Sequence, residues 1–167
     1  MSSDELDILL VEDSQEDVDL ALHTLQREKL ANHILVVRDG AEALDFIFCR
    51  GLFQHRSFDH LPRLVLLDLK LPKVDGMEVL KQIKSDPRTK TVPVVIMTSS
   101  KEERDLVTSY NSGANSYIQK PVDFDQFRET VKSVGLYWLV INQPPVMQAW
   151  PVGAGQVSSP VSGERTK

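Results

Sequence analysis

The sequence predicts a single α/β domain built on a doubly wound, five-stranded parallel sheet. Three observations predict it. Five short runs recur along the chain: Ile8-Leu9-Leu10-Val11, Ile34-Leu35-Val36-Val37, Leu64-Val65-Leu66-Leu67, Val94-Val95-Ile96-Met97 and Ser116-Tyr117-Ile118-Gln119. The first four are apolar throughout rather than alternating, as in strands with both faces covered. Each run is followed by a longer segment whose apolar residues recur at helical spacing. Strands alternating with helices imply right-handed crossovers and helices on both faces of the sheet. Five such units fit the flavodoxin-like arrangement, in which ligands bind outside the carboxyl ends of the strands.

Each helix can be justified in turn. Ser14 is a good N-cap for the first, and Val18, Ala21, Leu22 and Leu25 form its core-facing stripe. The second runs from about Ala41 to Arg50, with Ala43, Leu44, Ile47 and Phe48 inward and Gly51 as its stop. The third starts near Asp75-Gly76, carries Met77, Leu80 and Ile83, and ends before Pro87. The fourth, from Lys101 to about Asn111, offers only Leu106, Val107 and Tyr110 to a core and is expected to be the least firmly packed. The fifth starts near Asp123 and carries Phe124, Phe127, Val131, Val134 and Trp138. The polar fifth strand reads as an edge. The expected boundaries are a domain over 1–143 and a flexible Gly-, Pro- and Ser-rich tail over 144–167.

Composition narrows the function. The net charge of −5 argues against a broad nucleic-acid surface, which would need clustered Lys and Arg. No apolar run approaches the roughly 18 residues of a membrane helix. The first residues carry no secretion signal, so a cytoplasmic, soluble protein is expected. The single cysteine, Cys49, excludes an internal disulfide and reads as packing. The four histidines show no metal-ligand spacing.

Chemistry-bearing residues collect at the strand ends. The first strand ends in Glu12-Asp13, the third in Asp68, the fourth in Thr98-Ser99, and the fifth is followed by Lys120-Pro121. Each alone reads as a cap or a solvated loop residue. Together they place three carboxylates, a hydroxyl and an ammonium on one rim. Clustered carboxylates repel one another unless a cation compensates. Mg²⁺ takes oxygen ligands and is commonly held by one or two carboxylates plus phosphate oxygens. Lys120 adds a point charge suited to a phosphoryl group, and a carboxylate such as Asp68 can form an aspartyl-phosphate.

With these residues in place, the chain resembles a response-regulator receiver domain of two-component systems, the CheY-like fold. The match rests on Glu12-Asp13, Asp68 within Leu64-Val65-Leu66-Leu67-Asp68-Leu69-Lys70-Leu71-Pro72, Asp75-Gly76, Thr98-Ser99 and Lys120-Pro121. It spans about Asp7 to Ile141. The resemblance implies a signalling protein rather than an enzyme, accepting a phosphoryl group from a histidine kinase on Asp68. It implies Mg²⁺ bound by Asp13 and Asp68, by Glu12 directly or through water, and by the backbone carbonyl of Lys70. Lys120 would hold the phosphoryl group, with a cis bond to Pro121. Thr98 would move onto the phosphoryl group, with Tyr117 swinging inward behind it. Ser99 is small, as access requires. Leu71 replaces the commoner Met, a conservative loop change. Lys70 and Ser100 flank the expected path of the hydrolytic water, where family members vary.

The extended stretch from Arg50 to Pro62 and the apolar end around Tyr137-Trp138-Leu139 resemble the single-domain response regulators that partner cyanobacterial phytochromes. The surplus apolar surface over 136–141 leads to an expected homodimer through the fourth helix, fifth strand and fifth helix, with Tyr110, Phe127, Tyr137 and Trp138 at the interface. Neither a nucleic acid nor a membrane is expected as partner. Two rivals fare worse. A haloacid-dehalogenase-type phosphatase needs a second Asp where Lys70 stands. A flavodoxin would have its flavin phosphate repelled by Glu12-Asp13.

Overall fold

A computed structural model describes residues 6–145. The strands are β1 (Ile8–Val11), β2 (Ile34–Val37), β3 (Leu64–Leu67), β4 (Val94–Thr98) and β5 (Ser116–Gln119). The helices are α1 (Gln15–Arg27), α2 (Gly40–Ile47), α3 (Gly76–Ser85), α4 (Glu103–Asn111) and α5 (Phe124–Leu136). All pairings are parallel, in the order β2-β1-β3-β4-β5. The doubly wound fold is therefore as the periodicity predicts. The expected tail lies outside the described residues apart from Pro144 and Pro145. No described helix is long and apolar enough to cross a membrane.

Side chains of alternate parity point to opposite sides of a strand, so each continuously apolar strand feeds two cores. On one side, Leu9, Val11, Val65, Leu67, Val94 and Ile96 pack with Ala43, Leu44 and Ile47 of α2 and Val79, Leu80 and Ile83 of α3. On the other, Ile8, Leu10, Leu64, Leu66, Val95 and Met97 pack with Val18, Ala21 and Leu25 of α1 and Phe127, Val131 and Val134 of α5. β2 departs from the expectation. It stands at an edge, so Ile34, Leu35 and Val36 are only half-buried despite their apolar sequence.

Local chemistry sets the helix starts. Ser14, Asp39, Asp75 and Asp123 each accept a backbone N–H of the first turn through the side chain. α2 is shorter than expected: Cys49 turns left-handed at φ 54°, and the chain then runs through two single 3₁₀ turns, Gly51–Phe53 and Phe58–His60. Arg56 closes this loop by donating to the carbonyls of Phe46 and His60 while lying over the Phe46 ring. Phe124 was expected inward, yet it is 58% exposed. It is the first residue of α5, three before Phe127, and the sheet is covered by the later turns.

α4 is thinly packed, as expected. Among its residues only Ser109 is buried, and that hydroxyl has no hydrogen-bond partner. Beyond α5 the chain widens into a π-helical turn over Tyr137–Ile141. Leu139 is buried there, and Arg63 donates to its carbonyl at 2.6 Å while its other end lies 3.6 Å from Asp7. Arg63 thus satisfies one of the orphan carbonyls of a helix end and ties it to the start of β1.

Candidate functional site

β1 and β3 lie side by side at the centre of the sheet, with β2 on the far side of β1 and β4 on the far side of β3. That is the switch point of the doubly wound sheet, and a crevice opens outside its strand ends. The ladder continues one residue past each strand. Glu12 N–H donates to Val37 O, Asp68 N–H to Val11 O, and Lys120 N–H to Thr98 O at 2.7 Å. These backbone bonds fix where the three side chains begin.

The three converge on one ammonium. Lys120 Nζ donates to Glu12 Oε2 at 2.5 Å, to Asp68 Oδ2 at 2.8 Å and to Asp17 Oδ2 at 2.8 Å. Glu12 and Asp68 are buried. Glu12 Oε1 accepts the Ser14 N–H, and Asp68 Oδ1 accepts the Lys70 N–H. Asp13, exposed, completes a set with Glu12 and Asp68 whose carboxylate oxygens lie within 4.8 Å of one another. Three carboxylates therefore share the Lys120 ammonium, and Asp13 adds a fourth negative charge beside them.

Their electrostatics follow from burial. Burial pushes the Glu12 carboxyl up to about 7, with the Asp68 charge adding and the Lys120 ammonium opposing. Burial alone would lower Lys120, but hydrogen bonds to Asp17, Asp68 and Glu12 outweigh it and hold the ammonium charged well above its ordinary range. An all-oxygen donor set with excess negative charge fits a hard divalent cation. Glu12, Asp13 and Asp68 are the side chains that could hold one.

Thr98, the last residue of β4, is fully buried and its Oγ1 accepts the Ser100 N–H. Ser100 Oγ donates to Asp105 Oδ2 at 2.6 Å, and its carbonyl accepts the Tyr117 hydroxyl at 3.4 Å. Burial raises the Tyr117 phenol. A chain of contacts therefore runs from Thr98 to the first turn of α4 and to β5.

A family model for the response regulator receiver domain matches residues 8–132. The chain belongs to this receiver family. Among curated relatives, the probable methanogenesis regulatory protein FilR2 of Methanothrix harundinacea is 41% identical over 83% of this chain and 86% of its own. Response regulator Rcp1 of Synechocystis is 37% identical over 79% and 88%. The Mn²⁺-bound structure of Rcp1 superposes with a TM-score of 0.78 at 36% identity, covering 84% of this chain and 99% of that one. The phosphorylated cyanobacterial phytochrome response regulator RcpA gives 0.79 at 38% over 84% and 99%. The bacteriophytochrome response regulator RtBRR gives 0.67 at 48% over 85% of each chain.

Within the receiver, Glu12, Asp13, Asp68 and Lys120 come together as the sequence analysis expects, with Lys70 joined through its backbone N–H. Three expectations change. No described peptide bond is cis. The Lys120–Pro121 bond is trans, the intrinsically favoured isomer by about 0.5–1 kcal/mol, and Lys120 reaches all its partners from it. Phe127 is 4% exposed and belongs to the core on the α1–α5 side, so it is not an interface residue. Trp138 is half-buried and packed against that core, with its ring edge-to-face on Tyr137. Tyr110 and Tyr137 stay half exposed. Sequence reasoning passes over Asp17 and Asp105. Their signal is weak, because acidic residues in a first helical turn are ordinary dipole partners; only the fold brings them over the strand ends.

Proposed function

We propose that this receiver accepts a phosphoryl group on Asp68 from a histidine kinase, with a phytochrome-type sensor as its partner, and signals through phosphorylation-dependent contacts. It acts as a cytoplasmic phosphoacceptor rather than as an enzyme on a separate substrate. The observation that carries this reading is the Lys120 ammonium 2.8 Å from Asp68 inside a buried, over-charged carboxylate pocket. A phosphorylated cyanobacterial phytochrome response regulator, a bacteriophytochrome response regulator and a Mn²⁺-bound response regulator among its relatives support it.

A carboxylate oxygen of Asp68 attacks the phosphorus of the kinase's phosphohistidine. The P–N bond breaks, and the imidazole leaves. Glu12, Asp13, Asp68 and the Lys70 carbonyl would hold Mg²⁺, which when bound would neutralise charge on the phosphoryl oxygens. Lys120 orients the Asp68 carboxylate and meets the incoming negative charge. Such transfer depends mainly on positioning and electrostatics. Thr98 then bonds the phosphoryl group in place of the Ser100 N–H. Tyr117 leaves the Ser100 carbonyl, which frees the Ser100–Asp105 contact on the thinly packed α4. Phosphorylation thereby biases one of two packings.

Incubation with acetyl phosphate and Mg²⁺ is expected to add one phosphoryl mass to the wild type. No gain is expected without Mg²⁺ or in Asp68→Asn. A wild type that binds beryllofluoride no better than Asp68→Asn does would reject the reading. We further propose a homodimer through α4, β5 and α5, where Leu106, Val107 and Tyr110 of α4, and Tyr137, Val140 and Ile141 of the turn that follows α5, remain exposed. Sedimentation velocity at tens of micromolar, a range in which modest interfaces assemble, is expected to show dimer. A monomer there rules this out.

A further inference from the structure

We infer that Asp17 is a positioning residue that anchors Lys120 while Glu12 and Asp68 are engaged with the cation and the phosphoryl group. The inference rests on the reading of Asp68 as phosphoacceptor. An ammonium has three protons, and here all three go to carboxylates: Glu12, Asp17 and Asp68. Two of those partners belong to the cation-holding set, together with Asp13; Asp17 does not. Once a cation and a phosphoryl group claim Glu12 and Asp68, Asp17 is the carboxylate left to hold Nζ over the reacting centre.

The placement of Asp17 suits that task. It sits in the first turn of α1, where its backbone N–H donates to the Ser14 hydroxyl, so its position is set by the helix cap. Its side chain is 29% exposed, whereas that of Lys120 is 9% exposed. It therefore reaches the ammonium from the more exposed, α1 side. Without it a long, flexible lysine stem would hold Nζ by the two groups that the reaction withdraws. A preplaced charge contributes more than one that must be reorganised during the reaction.

Two other roles make different forecasts. If Asp17 only pins α1 to the segment after β5, its loss lowers stability and leaves phosphorylation unchanged. If it acts only as one more negative charge, its loss admits anionic donors more easily and phosphorylation speeds up.

The test uses the full chain, acetyl phosphate over a range of concentrations and saturating Mg²⁺, with phosphorylated fraction read by intact mass. Asp17→Asn is expected to lower the maximal rate about tenfold, with the half-saturating donor concentration unchanged or lower. Asp17→Glu is expected to restore part of the rate. In Mg²⁺-saturated protein, where the cation claims Glu12 and Asp68, the Lys120 ammonium should give a slowly exchanging ¹H–¹⁵N NMR signal that disappears in Asp17→Asn. Asp17→Asn phosphorylating at the wild-type rate or faster, or keeping that ammonium signal, overturns the proposal. If wild type gains no phosphoryl group, the functional reading fails, and the signal in Mg²⁺-saturated protein still decides whether Asp17 holds Lys120. Should Asp17→Asn not fold, Asp17→Ser carries the test: a wild-type rate with the ammonium signal kept in the absence of the carboxylate would overturn it.

Discussion

Gly76→Ala is expected to destabilise the receiver by about 3 kcal/mol, the upper end for overpacking, and to slow phosphorylation of Asp68 by about a hundredfold. A Cβ at Gly76 would lie 2.0 Å from the Asp68 carbonyl oxygen and 2.7 Å from Leu69 Cα. Both are backbone atoms, so no side chain can rotate away. The Gly76 N–H also donates to Leu69 O at 2.9 Å, which clamps the start of α3 against the segment that carries Asp68. Relief requires α3 to lift or Asp68 to shift, and either misplaces the acceptor. Gly113→Ala is the control. Gly113 needs φ +98°, and its added Cβ would meet the Lys84 side chain, beside the amino ends of β4 and β5 rather than the carboxyl ends that carry the site. That variant should lose stability and keep its phosphorylation rate. Urea midpoints and intact mass measure the two effects separately. A Gly76→Ala protein with normal kinetics would contradict the clamp.

The second large effect concerns Lys120. Lys120→Met is expected to cost about 3–5 kcal/mol at pH 8 without divalent cation, because it leaves buried carboxylates without their counter-charge. The loss should shrink toward pH 5. The wild type already carries part of this dependence. The folded Glu12 carboxyl, pushed up to about 7 by burial, holds its proton more tightly than its ordinary value of 4.5 allows in the unfolded chain. Its stabilising contribution is therefore complete below pH 4.5 and is lost as pH rises through 7. The change is on the order of 1–3 kcal/mol over that window. Lys120, held high by its three carboxylates, stays charged throughout and contributes no slope there. In Lys120→Met only the Ser14 N–H is left to oppose the burial of Glu12, so the slope steepens. Mg²⁺ should recover much of the stability at pH 8 by mass action, since the ionised cluster binds it and the unfolded chain does not. Urea midpoints from pH 4.5 to 8, with and without Mg²⁺, provide the check. A cost below about 1 kcal/mol at pH 8 in chelator would show that Lys120 is not the compensating charge.

Much of this was legible from residues alone. Apolar runs such as Leu64-Val65-Leu66-Leu67 show no alternation, which only a strand covered on both faces requires. Their ends bear Glu12, Asp13, Asp68 and Thr98, and a doubly wound sheet brings such ends to one crevice. The caps Ser14, Asp75 and Asp123 are local chemistry, so helix starts are read from a few neighbouring residues. The stop of α2 was less legible, because Cys49, not glycine, takes the left-handed turn there.

Other features depend on separations that local pattern does not encode. Ile34, Leu35 and Val36 read like the central strands, yet β2 lies at an edge, where one neighbour is missing. Phe124 and Phe127 are both apolar residues at the start of one helix, and the angle of α5 over the sheet buries the second and exposes the first. Asp17 and Lys120 are 103 residues apart and meet at 2.8 Å. The sheet, the order of its helices and the carboxylates at its rim are written in local residue patterns, because periodicity and capping are short-range. The fold decided which acid holds the lysine and which aromatic reaches the surface, because those depend on how distant elements dock.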